Sequence, residues 1–462
     1  MIDPSGHFFS NLKSEVSKLL YLGLPVIAAQ IFMTLMSVVD TLMAGHYDAT
    51  HLAAVGIGIS LFGPIIILGG GTLMALNPIV AQDIGGRKLN AVGEKVRQAL
   101  WLALIMALPA FFLLRMIDPL MELMNIDESM RIITDGFLRG ISWGVFPVYL
   151  FVALRHFNEG LGATGPAMYI SVIGFLFNIP ANFVLIYGYL GFPEMGGVGV
   201  GWASTVAYFS MFCGMLLYTV WKPSYQRFAI FKTLSLPSRK YLGEIFKVGF
   251  PIGISRAMDR GIFALIALLM GSISSVAMAG HQIAFNFSSL LIMLPFGLAT
   301  AITFRVGFNL GRKRTYEGRF AGLTGVGLCL GFLVIVLFLI FAAAPFIASL
   351  YTKDEEVLSL AISLLYFVAF YQLSEGLQVS AYGALRGLKD TRIPMYVNLA
   401  TYWGVGLPIG YLLSFIFGMG PQGMWIGLTL GIAIAGFIHL VRFYRNCCGE
   451  KYNGEVAYPQ EF

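Results

Sequence analysis

The chain has 462 residues, 57% hydrophobic and 12% charged, with a mean hydropathy of +0.78 and a formal net charge of +6. Apolar runs of about twenty residues recur along it, the length that crosses a ~30 Å hydrocarbon core as a helix, so a soluble fold is excluded. No GxxxxGK[ST] phosphate loop occurs, which argues against ATP-driven transport by this chain.

Residues 1–15 are polar and lead into a first apolar run centred near Val26, without an A-x-A cleavage site. That run reads as an insertion signal that is retained. Further runs centre near Ile66, Leu104, Phe146, Phe175 and Ala207, then near Ile262, Leu291, Phe332, Val368, Val405 and Ile432. The expected fold is an all-α membrane protein of twelve transmembrane helices, which leaves no room for a soluble domain. The basic residues crowd into alternate connections: Arg87 to Arg97, Arg155, Lys222 to Lys247, Arg312 to Arg319, Arg386 to Arg392, and Arg442 to Lys451. Arg115, Arg131, Arg139 and Lys353 are the few at the margins of the others. By the positive-inside rule both termini are cytoplasmic, and no nucleic-acid partner is needed to explain the charge. Cys213 and Cys329 sit in apolar runs and Cys447 and Cys448 adjoin in the tail, with no CxxC pair to suggest a metal site.

The chain repeats itself weakly at an offset of about 225 residues. Leu22-Gly23-Leu24-Pro25 is echoed by Val248-Gly249-Phe250-Pro251, and Thr164-Gly165-Pro166-Ala167-Met168-Tyr169 by Thr391-Arg392-Ile393-Pro394-Met395-Tyr396. Pro180 and Trp202 have counterparts in Pro408 and Trp425. Six helices per repeat give both copies one orientation, related by an axis along the membrane normal. The expected organisation is an N-terminal lobe over 1–221, a cytoplasmic connection over 222–242, a C-terminal lobe over 243–446 and a cytoplasmic tail over 447–462. Two parallel lobes that rock about a central substrate are a transporter architecture.

Charged side chains inside such spans need a reason, since each costs about 2.5–3.5 kcal/mol even on the lenient insertion scale. Asp40 lies late in the first span, Asp259 in the seventh between Arg256 and Arg260, and Glu375 in the tenth. Tyr371 and Glu375 are four apart and share a helix face; so do Asn178 and Asn182, with Pro180 between them to free a carbonyl. This spacing suggests one polar cluster of Asp40, Asn178 and Asn182, and a second of Asp259, Tyr371, Glu375 and Gln282. Such carboxylates can exchange protons near neutral pH, or two can hold a sodium ion among neutral oxygens. One driving ion supports over an order of magnitude of accumulation, at ~2.3 kcal/mol per charge per 100 mV and ~1.4 kcal/mol per tenfold ratio. Arg256 is three residues from Asp259 and competes with a cation for it, so an ion pair and a gating role are both open for Arg256 and Arg260.

Four stretches together give the chain a family likeness over roughly residues 15–445. They are Val38-Val39-Asp40-Thr41-Leu42-Met43-Ala44-Gly45, Asn178-Ile179-Pro180-Ala181-Asn182, Ala279-Gly280-His281-Gln282-Ile283-Ala284-Phe285-Asn286 and Leu385-Arg386-Gly387-Leu388-Lys389-Asp390-Thr391. With these the chain resembles the multidrug and toxic compound extrusion transporters, in their NorM-type bacterial branch. The resemblance implies two lobes in a V, and antiport of bulky organic cations, drugs or dyes against Na⁺ or H⁺ across the bacterial cytoplasmic (inner) membrane. It implies no cofactor beyond the coupling ion; a monomer is expected. Matched by position, the first-lobe proton-linked acid falls on Asp40, with Asn178 and Asn182 beside it. The second-lobe cation site, a place for Na⁺, falls on Asp259, Tyr371 and Glu375, with Gln282 near the drug path. Two departures stand out: the branch usually has Glu at position 259 and Asp at 375, and apolar residues where Arg256 and Arg260 stand.

Two other transporter readings compete. Asp83-Ile84-Gly85-Gly86-Arg87-Lys88 resembles the loop motif of major-facilitator transporters, although its preceding context differs. Arg256 and Arg260 would also suit a flippase for lipid-linked or polyanionic substrates. An enzyme is not expected, because the six histidines do not cluster and His281 reads as a packing residue. The topology is testable with single cysteines at Ser235 and Ser274 in a cysteine-free background. An impermeant thiol reagent added outside should label position 274 and spare 235; the reverse pattern would invert the assignment.

Overall fold

Hydrocarbon offers the backbone no hydrogen-bond partners, so a chain this apolar must satisfy its amides internally. The computed structural model describes residues 8–232 and 235–447, and every regular element among them is helical. The first half runs α1 (Phe8–Tyr47), α2 (Ala49–Leu73), α3 (Leu76–Gly85), α4 (Leu89–Arg115), short α5 (Asp118–Leu123), α6 (Glu128–Gly160), α7 (Gly165–Tyr187) and α8 (Gly197–Trp221). After a 3₁₀ turn at Pro223–Phe228 come α9 (Arg239–Ile273), α10 (Ser275–Leu291), α11 (Met293–Gly311), α12 (Thr315–Ser349), α13 (Glu355–Gly387), α14 (Arg392–Asn398), α15 (Leu407–Tyr411) and α16 (Pro421–Asn446). Two π-helical stretches, Leu399–Gly406 and Leu412–Ile416, flank α15 where Pro408 removes an amide donor. Asp48 caps α2, and the Thr50 and His51 amides that it accepts hold its carboxyl below the usual range.

Among the described residues, 11 helices or helix pairs are long and apolar enough to cross a bilayer, with α2–α3, α10–α11 and α14–α15 each counting as one. The twelfth span is α9, 35 residues long, which carries Lys247, Arg256, Asp259 and Arg260 along its length. Within the connection expected over 222–242, Pro223–Phe228 forms a 3₁₀ turn and the residues from Arg239 onward already belong to α9. Cys448 and the rest of the tail, with residues 1–7, lie outside the described residues.

The described residues divide into two compact units, an N-terminal one of 25–80 and 88–257 and a C-terminal one of 8–24, 81–87 and 258–447. In the N-terminal unit α6 is central and packs on α2, α4 and α8. Its Gly136, Gly140 and Gly144 recur at one-turn spacing and receive Val198, Trp202 and Thr205 of α8. Gly201 faces back from α8, where a Cβ would stand 2.3 Å from the Phe137 carbonyl oxygen. Small residues let membrane helices approach until dispersion and close backbone contact replace the missing hydrophobic drive. In the C-terminal unit α13 packs against α10, α11, α12 and α16, around a core that includes Ile266, Tyr371, Met424 and Trp425. Ile335, Phe338, Leu339 and Phe346 of α12 stay exposed, as suits a face meeting hydrocarbon.

The α6–α8 seam makes a stability prediction. Gly201→Val should cost about 1–3 kcal/mol by overpacking and lower the unfolding midpoint in detergent. Gly63→Ala, with nothing within 4 Å of the new Cβ, should leave the midpoint unchanged. Equal midpoints for the two variants would mean the seam is not closely packed.

Candidate functional site

Asp40 lies near the end of α1 and is buried in the N-terminal unit. Asn178 and Asn182, one turn apart on α7, both aim inward, and their Nδ2 groups donate to Asp40 Oδ1 at 3.0 and 2.6 Å. Ser204 of α8 donates its hydroxyl to Oδ2 at 2.9 Å. Tyr208, one turn further along α8, is within electrostatic reach of the carboxylate. No basic side chain among the described residues pairs with Asp40. The side-chain oxygens of Asn178 and Asn182 are buried without hydrogen-bond partners, so the cluster keeps acceptor capacity that the protein does not use. Asp40, Asn178 and Asn182 thus meet as their spacing suggested. Ser204 and Tyr208 escaped the sequence reading, because nothing in the sequence of α8 says which face meets α1.

In the C-terminal unit the Tyr371 hydroxyl donates to Glu375 Oε1 at 2.9 Å along one face of α13. Asp259 of α9 is within electrostatic reach of Tyr371, Tyr402 and Glu375. Glu375 Oε2 is buried without a hydrogen-bond partner. A phenol and two carboxylates are hard oxygen ligands, so this donor set suits Na⁺. Aromatic rings wall the group: Phe263 and Trp425 stand edge-on to Tyr371, with centroids at 6.0 and 5.4 Å. His281 is buried and packs on Phe285 and Trp425, as its reading as a packing residue expected, although its Nδ1 has no partner.

Gln282 is exposed, while its neighbour His281 takes the buried position on α10. The two arginines also differ from each other. Arg256 brings Nη1 to 4.0 Å from the Met74 sulfur, whereas Arg260 is exposed and within electrostatic reach of Glu375. Arg155, read among the loop arginines, is buried inside α6, where its charge is matched. It donates to Glu159 Oε1 at 2.8 Å and to Gln30 Oε1 at 3.1 Å, and His156 Nδ1 lies 2.7 Å from Glu159 Oε2.

The sequence pattern of the MatE family matches residues 25–184 and 251–412. The chain is 40% identical over 440 residues to the multidrug resistance protein PmpM of Pseudomonas aeruginosa, covering 94% of this chain and 92% of that one. The eukaryotic MATE transporter AtDTX14 has the same fold, with a TM-score of 0.87 at 22% identity over 96% of this chain and 98% of its own. A MATE transporter in the bent conformation gives 0.86 at 21% identity, over 95% and 97%. The fold is therefore the two-lobe, all-helical one, and the chain belongs to the MatE family, the multidrug and toxic compound extrusion transporters, and is a transporter rather than an enzyme.

Proposed function

We propose that this transporter is a multidrug efflux antiporter. It exports bulky organic cations across the bacterial inner membrane, with both termini cytoplasmic, in exchange for H⁺ or Na⁺ by alternating access. The observation that carries the reading is Asp40, a buried carboxylate held by three neutral donors and no cation. Such a group stays costly until a proton or a cation joins it, so it suits a site that loads and unloads a coupling ion. Asp259, Tyr371 and Glu375 supply a second acidic site, the place proposed for Na⁺. Likeness to a relative named as a multidrug resistance protein supports the substrate class, and acids at both sites favour cations over a polyanionic substrate.

Two measurements test this. Asp40→Asn should reduce ethidium efflux from everted vesicles to the empty-vector rate, while expression and gel-filtration profile stay normal. Parental efflux in that variant would remove Asp40 from the coupling site. The second concerns Arg260, whose charge opposes a cation beside Glu375. Initial efflux against Na⁺ concentration at fixed pH should steepen in Arg260→Val relative to the parent. Superimposable curves for parent and Arg260→Val would show that the arginine does not act on the acidic site.

A further inference from the structure

The segment joining α8 to α9 is fastened along the N-terminal unit. Arg97 of α4 donates to the Ala229 and Ile230 carbonyls at 2.9 and 3.1 Å and to Ser235 Oγ at 2.9 Å. Gln98 donates to the Leu236 carbonyl at 2.8 Å and accepts from the Ser238 amide at 2.7 Å, while Trp101 Nε1 donates to the Ser235 carbonyl at 2.9 Å. Between α4 and this segment lies a cavity of about 210 Å³, walled by Leu100, Trp101, Leu104, Ile230 and Phe231, with Arg97 and Ser235 as its polar lining.

The chain segment that supplies one wall of this cavity, with the start of α9, is both apolar and cationic. Trp221, Phe231 and Leu236 leave 72%, 48% and 81% of their surface exposed. Arg227, Arg239, Lys240 and Lys247 are exposed as well, and among the described residues none of them forms an ion pair. The one acid of segment 222–247, Glu244, is already taken by Lys95 at 3.2 Å. The topology rule accounts for cations at this level, but it asks for neither exposed apolar side chains among them nor a hydrocarbon-lined cavity beside them. We propose that this surface is a binding site for an anionic phospholipid, with an acyl chain in the cavity and the headgroup phosphate among the unpaired cations. A zwitterionic lipid offers the same hydrocarbon without the net charge, so the cations make the site selective for anionic headgroups.

The test uses the purified full chain in detergent, with its unfolding midpoint followed during titration with phosphatidylglycerol, phosphatidylcholine or inorganic phosphate. Phosphatidylglycerol should raise the midpoint saturably and well beyond phosphatidylcholine, and phosphate should do nothing comparable. Each basic side chain near an anionic surface contributes about fivefold in affinity, so Arg227→Gln/Arg239→Gln/Lys240→Gln should weaken phosphatidylglycerol binding roughly a hundredfold at low salt. Leu104→Trp should weaken it by filling the cavity. Equal shifts with both lipids, or an unaltered titration in the triple variant, would overturn the proposal. A phosphate shift matching that of phosphatidylglycerol would make this a free-anion site instead. The lipid comparison on the parent needs no substitution, so a variant that fails to fold leaves the proposal open to refutation.

Discussion

Placing the Asp40 carboxylate among apolar helices removes it from water at a cost of several kcal/mol, and no arginine or lysine among the described residues offsets that. Hydrogen bonds to a charged group contribute about 1.5–3 kcal/mol each, so Asn178, Asn182 and Ser204 repay much of the cost without neutralising the charge. They also tie α1, α7 and α8 to one point. A proton or a cation arriving at Asp40 would change the field at all three helices together, as the antiport proposed above needs of its coupling site.

The C-terminal unit meets the same problem differently. Asp259 and Glu375 repel when both are ionised, and the Tyr371 hydroxyl satisfies one oxygen of Glu375 while the other remains open. A cation is the natural complement of that arrangement, and Arg260 works against it from an exposed position.

Features confined to one helix were legible in the sequence. The pairs Asn178/Asn182 and Tyr371/Glu375 could be read because four-residue spacing fixes a shared face. The span count was legible from apolar length, even for α9, whose charges interrupt its apolar run. Between helices, the meeting of Asp40 with Asn178 and Asn182 was suggested by their residue types, but other contacts were not legible. Ser204 reads as any small helix residue until α8 is placed against α1, and Arg155 reads as a loop arginine until Glu159, Gln30 and His156 are seen around it. The exposure of Gln282 beside buried His281 was hidden too, because a single position of helical phase separates them.

The internal repeat has a packing explanation. In the motif shared by Leu22-Gly23-Leu24-Pro25 and Val248-Gly249-Phe250-Pro251, both glycines sit at close helix crossings. A Cβ at Gly249 would stand 1.9 Å from the Thr72 carbonyl oxygen in the N-terminal unit, and one at Gly23 would stand 3.2 Å from Leu298 in the C-terminal unit. Gly85 and Gly311, separated by the same offset of about 225 residues, behave alike within the C-terminal unit. A Cβ at Gly85 would lie 2.1 Å from the Phe308 carbonyl oxygen, and one at Gly311 would lie 2.1 Å from that of Gln82. Gly85, Gly249 and Gly311 therefore mark backbone-to-backbone contacts, where any side chain would force the helices apart, while Gly23 meets the tip of a side chain. The acids follow no such rule: Asp40, Asp259 and Glu375 have no acidic counterparts at that offset. The repeat thus preserves how the helices pack, while the buried acids of each unit are placed independently of it.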